Sequence, residues 1–431
     1  MSRRWTNWAG NQAALPRHYV VARSEADVVA AVSRGVAERE RVRPVGSGHS
    51  FTDIAVTDGI IVDVAALAGV RSIDHATRLV TVGAGTRLAD LNAALHDNGL
   101  ALPNLGDVDR QTIAGAIGTA THGTGTRFNC ISAAVAGVRV VTGDGGVLTV
   151  DGRSRPELLG PLRANLGALG ILTEVTLQCV DAFNLQAVEE TLDIDELLAS
   201  FDEVAAGNEH VEFYWFPGTR TGLRKVNNRT TDPLRYNRRK AFVADEIMGN
   251  AVFGALVRLG RRRPQLVAPA LKAAVPIGQR KRIVAPSHTV FCSPRRVKFV
   301  EMEYAVPREA LRDAFAEVRR IADSAAAPIT FPIEVRVLDA DDIPLSMASG
   351  RPSGFIAVHV DAGSSHEAYF AAVEAAMARY DGRPHWGKLH RLGHEQLARL
   401  YPRWHEFMAA RDELDPDRHF ANPYLDRVLG E

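Results

Sequence analysis

Residues 46–51 read Gly46-Ser-Gly-His-Ser-Phe51, and residues 106–125 read Gly106-Asp-Val-Asp-Arg-Gln-Thr-Ile-Ala-Gly-Ala-Ile-Gly-Thr-Ala-Thr-His-Gly-Thr-Gly125. The first run is a tight loop wedged between two predicted strands, Arg43 to Val45 and Ile60 to Val64. Glycines there let the main chain approach a diphosphate and present its N–H groups. A histidine held in such a loop faces whatever the loop cradles, although a loop histidine taken alone is more often a hydrogen-bonding surface residue. The second run is almost entirely Gly, Ala and Thr from Thr112 to Gly125. Such residues are too small to build a core but suit a large cofactor lying against main chain. A third run, Leu166-Gly-Ala-Leu-Gly-Ile-Leu-Thr-Glu-Val175, is a glycine turn entering a strand, and by itself reads equally well as a structural turn.

Outward from these loops, short β-rich runs alternate with helix signals from Tyr19 to about Val180. Ser24 opens a helix with Asp27 three residues on, a capping box, and Val28, Val29, Val32 and Val36 recur on one helical face. Leu79 to Val82 reads as a strand. Thr86 is a candidate cap for a helix with the stripe Leu88, Leu91 and Leu95, and Gly99 fits its left-handed end. Val138 to Val150 reads as a hairpin around Gly143-Asp-Gly-Gly146. This is an α+β arrangement of short pieces, not a steady βαβ repeat. Further on, strands are expected at Lys298 to Tyr304, Ile329 to Leu338 and Phe355 to Val360, with a helix from Glu309 to about Ser324. The stretch from His394 to Leu429 is helical, then turn-rich around Asp415-Pro-Asp417. At 431 residues the chain has room for two or three domains.

Composition narrows the function. The 51 basic and 51 acidic residues balance, so there is no global attraction to polyanions, and a nucleic-acid partner is not expected. The stretch from Arg220 to Phe299 is locally basic, which reads as a solvated insertion or as a contact for an anionic surface or partner. Cys130, Cys179 and Cys292 lie far apart and form no metal or redox pair, which fits a reducing compartment. Met1-Ser-Arg-Arg-Trp-Thr-Asn-Trp8 lacks the apolar core of a signal peptide, and its tryptophans are expected to pack. The most apolar stretch, Ala251 to Val257, is too short to span a membrane. A cytoplasmic protein is expected. Thr81-Val-Gly-Ala-Gly-Thr-Arg-Leu88 mimics a dinucleotide fingerprint, but Leu88 replaces the third glycine and Pro103 and Asn104 stand where a ribose-binding acid belongs.

The second half supplies charged groups. Glu334 and Arg336 lie two apart on a predicted strand and so share a face, while Ile333, Val335 and Val337 take the other. Without context this is a same-face surface ion pair. His359 and Asp361 alternate likewise on another strand, where a satisfied core histidine is the ordinary reading. His390 and His394 are one helical turn apart without a third ligand, so no metal site is expected.

The three glycine loops together closely resemble the flavin domain of the vanillyl-alcohol-oxidase superfamily, and specifically its sugar-1,4-lactone and alditol oxidase group. Arg383-Pro-His-Trp-Gly-Lys388 resembles the His-Trp-x-Lys signature of the lactone oxidases. Leu400-Tyr-Pro-Arg-Trp-His-Glu-Phe407 with Asp415-Pro-Asp-Arg-His-Phe-Ala-Asn-Pro-Tyr424 resembles the family's C-terminal segment. The resemblance covers nearly the whole chain. It implies a two-domain FAD-binding α+β fold with an antiparallel-sheet cap: residues 1–180 for FAD, 181–385 for the cap and substrate, and 386–431 packing back on the FAD domain. It implies FAD tethered covalently to His49, with Gly46, Ser47, Gly48 and Ser50 as phosphate contacts. Gly106 and Asp107 would lie beside the isoalloxazine. Thr112, Ala114, Gly115, Gly118, Thr121, His122 and Gly123 would follow the diphosphate and ribityl chain, and Gly170 with Ile171 the adenosine.

The implied activity is oxidation of an aldono-1,4-lactone of the gulono or arabinono type by hydride transfer to flavin N5, with oxygen or another acceptor reoxidising the flavin. An open-chain alditol is the alternative substrate, and a non-enzymatic sugar-binding module a remote one. Arg336 and Glu334 would hold substrate oxygens. Lys388 would stabilise negative charge developing near flavin N1 and C2=O. The proton-accepting base stays open between His359, because an imidazole can accept a proton near neutral pH, and Lys388, which qualifies only if burial lowers its pKa. Trp386 and His385 are expected to shape the cavity, and the small residue Gly106 would admit oxygen beside the flavin.

Overall fold

The computed structural model describes residues 3–237, 253–293, 296–325 and 329–431. Parts of the basic stretch, residues 238–252 and 294–295, and the start of the apolar run at Ala251 lie outside the described residues.

Three main sheets organise the chain. The first is a parallel trio, β1 (His18–Val21), β2 (Val42–Val45) and β3 (Ile60–Asp63), in the order β1-β3-β2. The parallel crossover between β1 and β2 needs a connecting helix, and α1 (Glu25–Glu38) provides it. Its start is the capping box expected at Ser24 and Asp27, and Val28 and Val32 bury against Val42, Ile60 and Val62.

The second sheet is antiparallel, built from β4 (Val70–Asp74), β5 (Leu79–Gly83), β6 (Val135–Val141), β7 (Val147–Asp151) and β8 (Ile171–Gln178) in the order β7-β6-β8-β5-β4. The β6–β7 hairpin turns at residues 142–146 as its glycines require. Thr86 does not cap the next helix, α2 (Leu88–Asp97). Arg87 holds the cap position without a side-chain bond, while Thr86 Oγ1 donates to the Gly83 carbonyl and accepts from Gly69 N–H. Tying the tight turn after β5 wins over capping, because a buried hydroxyl takes the nearest backbone partners.

The third sheet has eight antiparallel strands: β9 (Asn184–Asp193), β10 (His210–Trp215), β11 (Thr221–Thr230), β12 (Arg280–Pro286), β13 (Phe299–Pro307), β14 (Ile333–Leu338), β15 (Ser353–Asp361) and β16 (Arg383–Pro384), in the order β12-β9-β11-β10-β14-β15-β13-β16. Its register decides what faces where. Tyr214 pairs with Glu334, Glu334 with Ala357, Ala357 with Glu303, and His359 with Glu301. Strand alternation then sends Glu212, Tyr214, Glu334, Arg336, His359, Glu301 and Glu303 to one face. Phe213, Ile333, Val335, Val337, Val358 and Met302 go to the other, where they join the main apolar core with Leu311, Phe315 and Val318 of the helix Leu311–Asp323.

C-terminal residues return to the first two sheets. His419 O accepts from Val42 N–H, Leu414 O accepts from Gly143 N–H, and the Asn422 amide donates to the carbonyls of Asp53 and Val56. Arg43 is the staple. Fully buried, its guanidinium donates to the carbonyls of Ile54, Leu166, Gly167 and Phe420, joining three distant segments under the residue 46–50 loop. Burial pulls its pKa down to about 9, still well above neutrality. Among the described residues no helix is long and apolar enough to cross a membrane.

Candidate active site

The glycine loops and the charged face of the third sheet meet across a continuous cleft of two chambers. The first is walled by Gly46, Ser47, Gly48, His49 and Ser50, by Thr112, Ala114, Gly115 and Gly118, and by Gly170 and Ile171. The second is walled by Gly106, Asp107, Thr121, His122, Arg336, His385 and Lys388, with Glu301 and Glu303. Ser47, His49, Ser50, Gln111 and Thr119 line both, so His49 stands at the junction. The structure thus gathers the sequence-selected residues onto one cleft, apart from four, one of which, Trp386, is fully buried away from it with its indole N–H donating to the Leu345 carbonyl. Gly123 packs against the Asn104–Leu105 segment, where a Cβ would come within 2.2 Å of the Leu105 carbonyl. Glu334 and His359 stand behind Arg336 and Glu301 respectively.

The first chamber fits FAD. A Cβ on Gly46 would sit 2.1 Å from Thr112 Oγ1, so only glycine lets the two loops approach. Gly48 and Gly170 hold φ of +66° and +135°, conformations that side chains resist. Among the described residues Ser47 Oγ is buried without a partner, a donor that a phosphate oxygen would satisfy.

His49 is stacked under Trp8, with ring centroids 5.6 Å apart. Burial first, then the cations Arg110, Arg87 and Lys388, push its pKa down to about 4, so its imidazole is neutral at neutral pH.

In the second chamber, Arg336 is surrounded by three acids: Glu334 by direct ion pair, Glu212 Oε2 at 3.2 Å and Asp107 Oδ1 at 3.5 Å. Tyr214 O–H donates to Glu334 Oε1 at 2.7 Å, and Lys225 Nζ stands 3.3 Å from Glu212. Burial raises the Glu334 carboxyl above its usual range, with Arg336 offsetting only part. Burial acts the same way on Glu212, but Lys225 and Arg336 reverse it and hold that group below its usual range.

Beside this cluster Lys388 pairs with Glu301 and lies 3.9 Å from Glu303. Burial alone would lower its pKa, yet the two carboxylates overcome that and raise it. The condition under which Lys388 could act as a base is therefore not met, and it is a fixed cation. Burial would lift the Glu301 carboxyl, but Lys388 and His359 hold it down at about 2.

The two histidines facing these acids are held alike. His359 Nδ1 lies 3.2 Å from the Pro332 carbonyl and His122 Nδ1 2.9 Å from the Gly123 carbonyl. Carbonyls only accept, so each Nδ1 carries a hydrogen, and each Nε2 stands 3.4 Å from a carboxylate, Glu301 for His359 and Glu303 for His122. His385 differs: Gly387 N–H donates to its Nδ1 at 3.0 Å, and burial lowers its pKa to about 3, leaving a neutral ring. His122, Glu303 and His385 offer ligand atoms within 4.8 Å of one another. The Gly387 bond places the His385 hydrogen on Nε2, and Lys388 already supplies positive charge, so the trio reads as part of a charged network. His390 bonds Tyr424 O–H and lies away from the cleft.

Glu212, Tyr214, Lys225, Glu301 and Glu303 were missed by sequence reasoning. The run Phe299-Val-Glu-Met-Glu-Tyr304 carried the signal, alternating acids in a strand with the pattern that singled out Glu334 and Arg336.

Comparison with known proteins agrees with this geometry. Residues 16–151 match the FAD binding domain model and residues 175–428 the D-arabinono-1,4-lactone oxidase model. The chain is 42% identical over 431 residues to an L-gulono-1,4-lactone dehydrogenase of Mycobacterium tuberculosis, covering all of both chains. It is 30% identical to the L-gulonolactone oxidase of Bos taurus, covering 99% of this chain and 98% of that one, and 30% identical to an alditol oxidase of a Streptomyces species, covering 100% of both. Among solved structures, cholesterol oxidase of B. sterolicum superposes with a TM-score of 0.83 at 18% identity, over 100% of this chain and 97% of that one, a likeness of fold.

Proposed function

The chain belongs to the D-arabinono-1,4-lactone oxidase family, and from that premise we propose that it oxidises an aldono-1,4-lactone of the gulono or arabinono type, with FAD as hydride acceptor and oxygen or another acceptor reoxidising the flavin. The observation that carries this reading is the charged face of the third sheet, closed over a cleft whose other wall is the FAD cradle.

FAD, when bound, would supply the hydride acceptor at N5. The chain's residues do the rest. Gly46 to Ser50 and Thr112 to Gly118 hold the diphosphate by backbone and hydroxyl donors, and Gly170 and Ile171 border the adenosine. Gly106, Asp107, Thr121 and His122 border the ring. Arg336, kept rigid by its acids, presents donors to the lactone oxygens, and Glu334 fixes its orientation. Lys388, an ammonium lining the second chamber, would favour the negative charge that the flavin gains with the hydride. The hydroxyl proton would pass to the Glu301–His359 pair, in which the Glu301 carboxylate lines the chamber and His359 Nε2 stands 3.4 Å from it. His49, neutral and at the junction of the chambers, is the covalent tether. The domain limits 1–180, 181–385 and 386–431 and a cytoplasmic location go with this reading.

The test is anaerobic mixing of the purified holoprotein with L-gulono-, L-galactono- and D-arabinono-1,4-lactone and with xylitol and sorbitol. The flavin should bleach with a lactone and recover when an acceptor is admitted. Bleaching by alditols alone would move the substrate to the open-chain class, in line with the alditol oxidase relative.

A further inference from the structure

Residues 7 to 12 of the N-terminal arm are bonded to the His49 loop. Trp8 N–H donates to the Gly48 carbonyl at 2.8 Å, and the Asn7 amide donates to the Ser50 carbonyl at 2.9 Å. The Asn11 and Gln12 amides both donate to the Phe51 carbonyl, at 2.8 and 3.1 Å. Asn7 Oδ1 accepts from Gly10 and Gln12 N–H, which closes the arm on itself. This frame lays the Trp8 indole on the His49 imidazole at 23° between planes. The same indole meets Phe51 and Phe299 edge-on, with centroids 6.4 and 5.4 Å apart. Phe299 begins β13, so Trp8 ties the imidazole to the FAD-side loop and to the charged sheet at once. Trp8 also lines the second chamber.

We infer that Trp8 is a positioning residue for the attachment of the flavin to His49, an inference that rests on the tether reading above. Attachment forms a bond between a ring nitrogen of His49 and the 8-methyl carbon of FAD. One hydrogen leaves that methyl and one leaves the imidazole, and the flavin keeps both with their electrons, so the adduct is reduced by two electrons. The acceptor that reoxidises the flavin in turnover then removes two electrons and two protons. The bond needs a neutral imidazole held in one rotamer and aimed at the methyl group. A stacked indole restricts the ring to a plane and shields it from water, which is the ordering an intramolecular reaction uses. Stacking of this strength corresponds to a roughly three- to tenfold effect on rate.

The experiment follows, with time after induction, the share of protein-bound flavin that stays with acid-precipitated protein, in wild type, Trp8→Phe, Trp8→Ala and His49→Ala, with total bound flavin and melting temperature measured alongside. The inference expects Trp8→Ala to bind FAD with wild-type stoichiometry but attach it roughly three- to tenfold more slowly. Trp8→Phe should recover most of the rate and His49→Ala should attach none. Wild-type attachment kinetics in Trp8→Ala would overturn it. Loss of all flavin from both Trp8 variants would overturn it too, by making the indole a packing residue of the loop. Acid-labile flavin in wild type, with lactone bleaching intact, would sink the tether and this inference together while leaving the lactone reaction standing.

Discussion

Replacing Lys388 by methionine separates catalysis from stability at one atom. The ammonium pairs with Glu301 and lies 3.9 Å from Glu303, and both carboxylates are buried. Removing one partner of a buried ion pair leaves uncompensated charge and costs about 3–5 kcal/mol. Losing a fixed cation beside developing negative charge costs roughly 10²–10³ in rate. The pH dependence carries a sign. Glu301 titrates at about 2 in the folded protein, below the ordinary carboxylate value, so its favourable contribution is complete above that ordinary value and disappears as pH falls toward 2. In the variant the depression is largely lost. The stability gap between wild type and Lys388→Met should therefore be widest near neutrality and close on acidification. Adding Glu301→Gln should recover part of the stability and none of the rate, because it removes the orphaned charge without restoring a cation. Denaturant unfolding at several pH values measures the first effect, and anaerobic stopped-flow flavin reduction the second. Reduction within a factor of about three of wild type, or a stability gap that widens in acid, would refute the placement of Lys388.

Arg336→Ala should keep its flavin and lose lactone reduction by roughly 10²-fold or more, read by the same stopped-flow assay; a near-normal rate would put the substrate elsewhere. His49→Ala should release its yellow colour into the supernatant on acid precipitation, and colour retained in the pellet would exclude this tether. Gly46→Ala should fail to load FAD, since the added methyl would fall 2.1 Å from Thr112 Oγ1, and a wild-type flavin-to-protein ratio would show that the loops part easily. Arg43→Gln removes donors from four carbonyls, three of them buried, and should cost at least about 2 kcal/mol in denaturant unfolding, with flavin retention falling alongside.

Much of the FAD side was legible because glycine reports backbone constraint directly: Gly46, Gly48 and Gly170 stand where a side chain would collide or strain. The pair Glu334 and Arg336 was legible because strand alternation is local. What lay beyond reach was cross-strand register. Nothing in the chain order says that Tyr214 comes opposite Glu334 or that His359 comes opposite Glu301, since about 120 and 60 residues separate them and pairing is decided by the assembled sheet. Thr86 illustrates the same limit. Its sequence context fits a helix cap, and only the proximity of Gly69 N–H shows that the hydroxyl is engaged elsewhere. Trp8 gave a packing signal but no hint that its partner would be the imidazole of His49.

The guanidinium of Arg43 reaches the carbonyl of Phe420, and Val42 bonds His419. On the ribosome, the floor beneath the FAD loop is thus finished only after nearly four hundred further residues have been made. Cofactor capture is consequently a late, post-translational event in the maturation of this polypeptide, and nascent chains halted before residue 420 should emerge colourless.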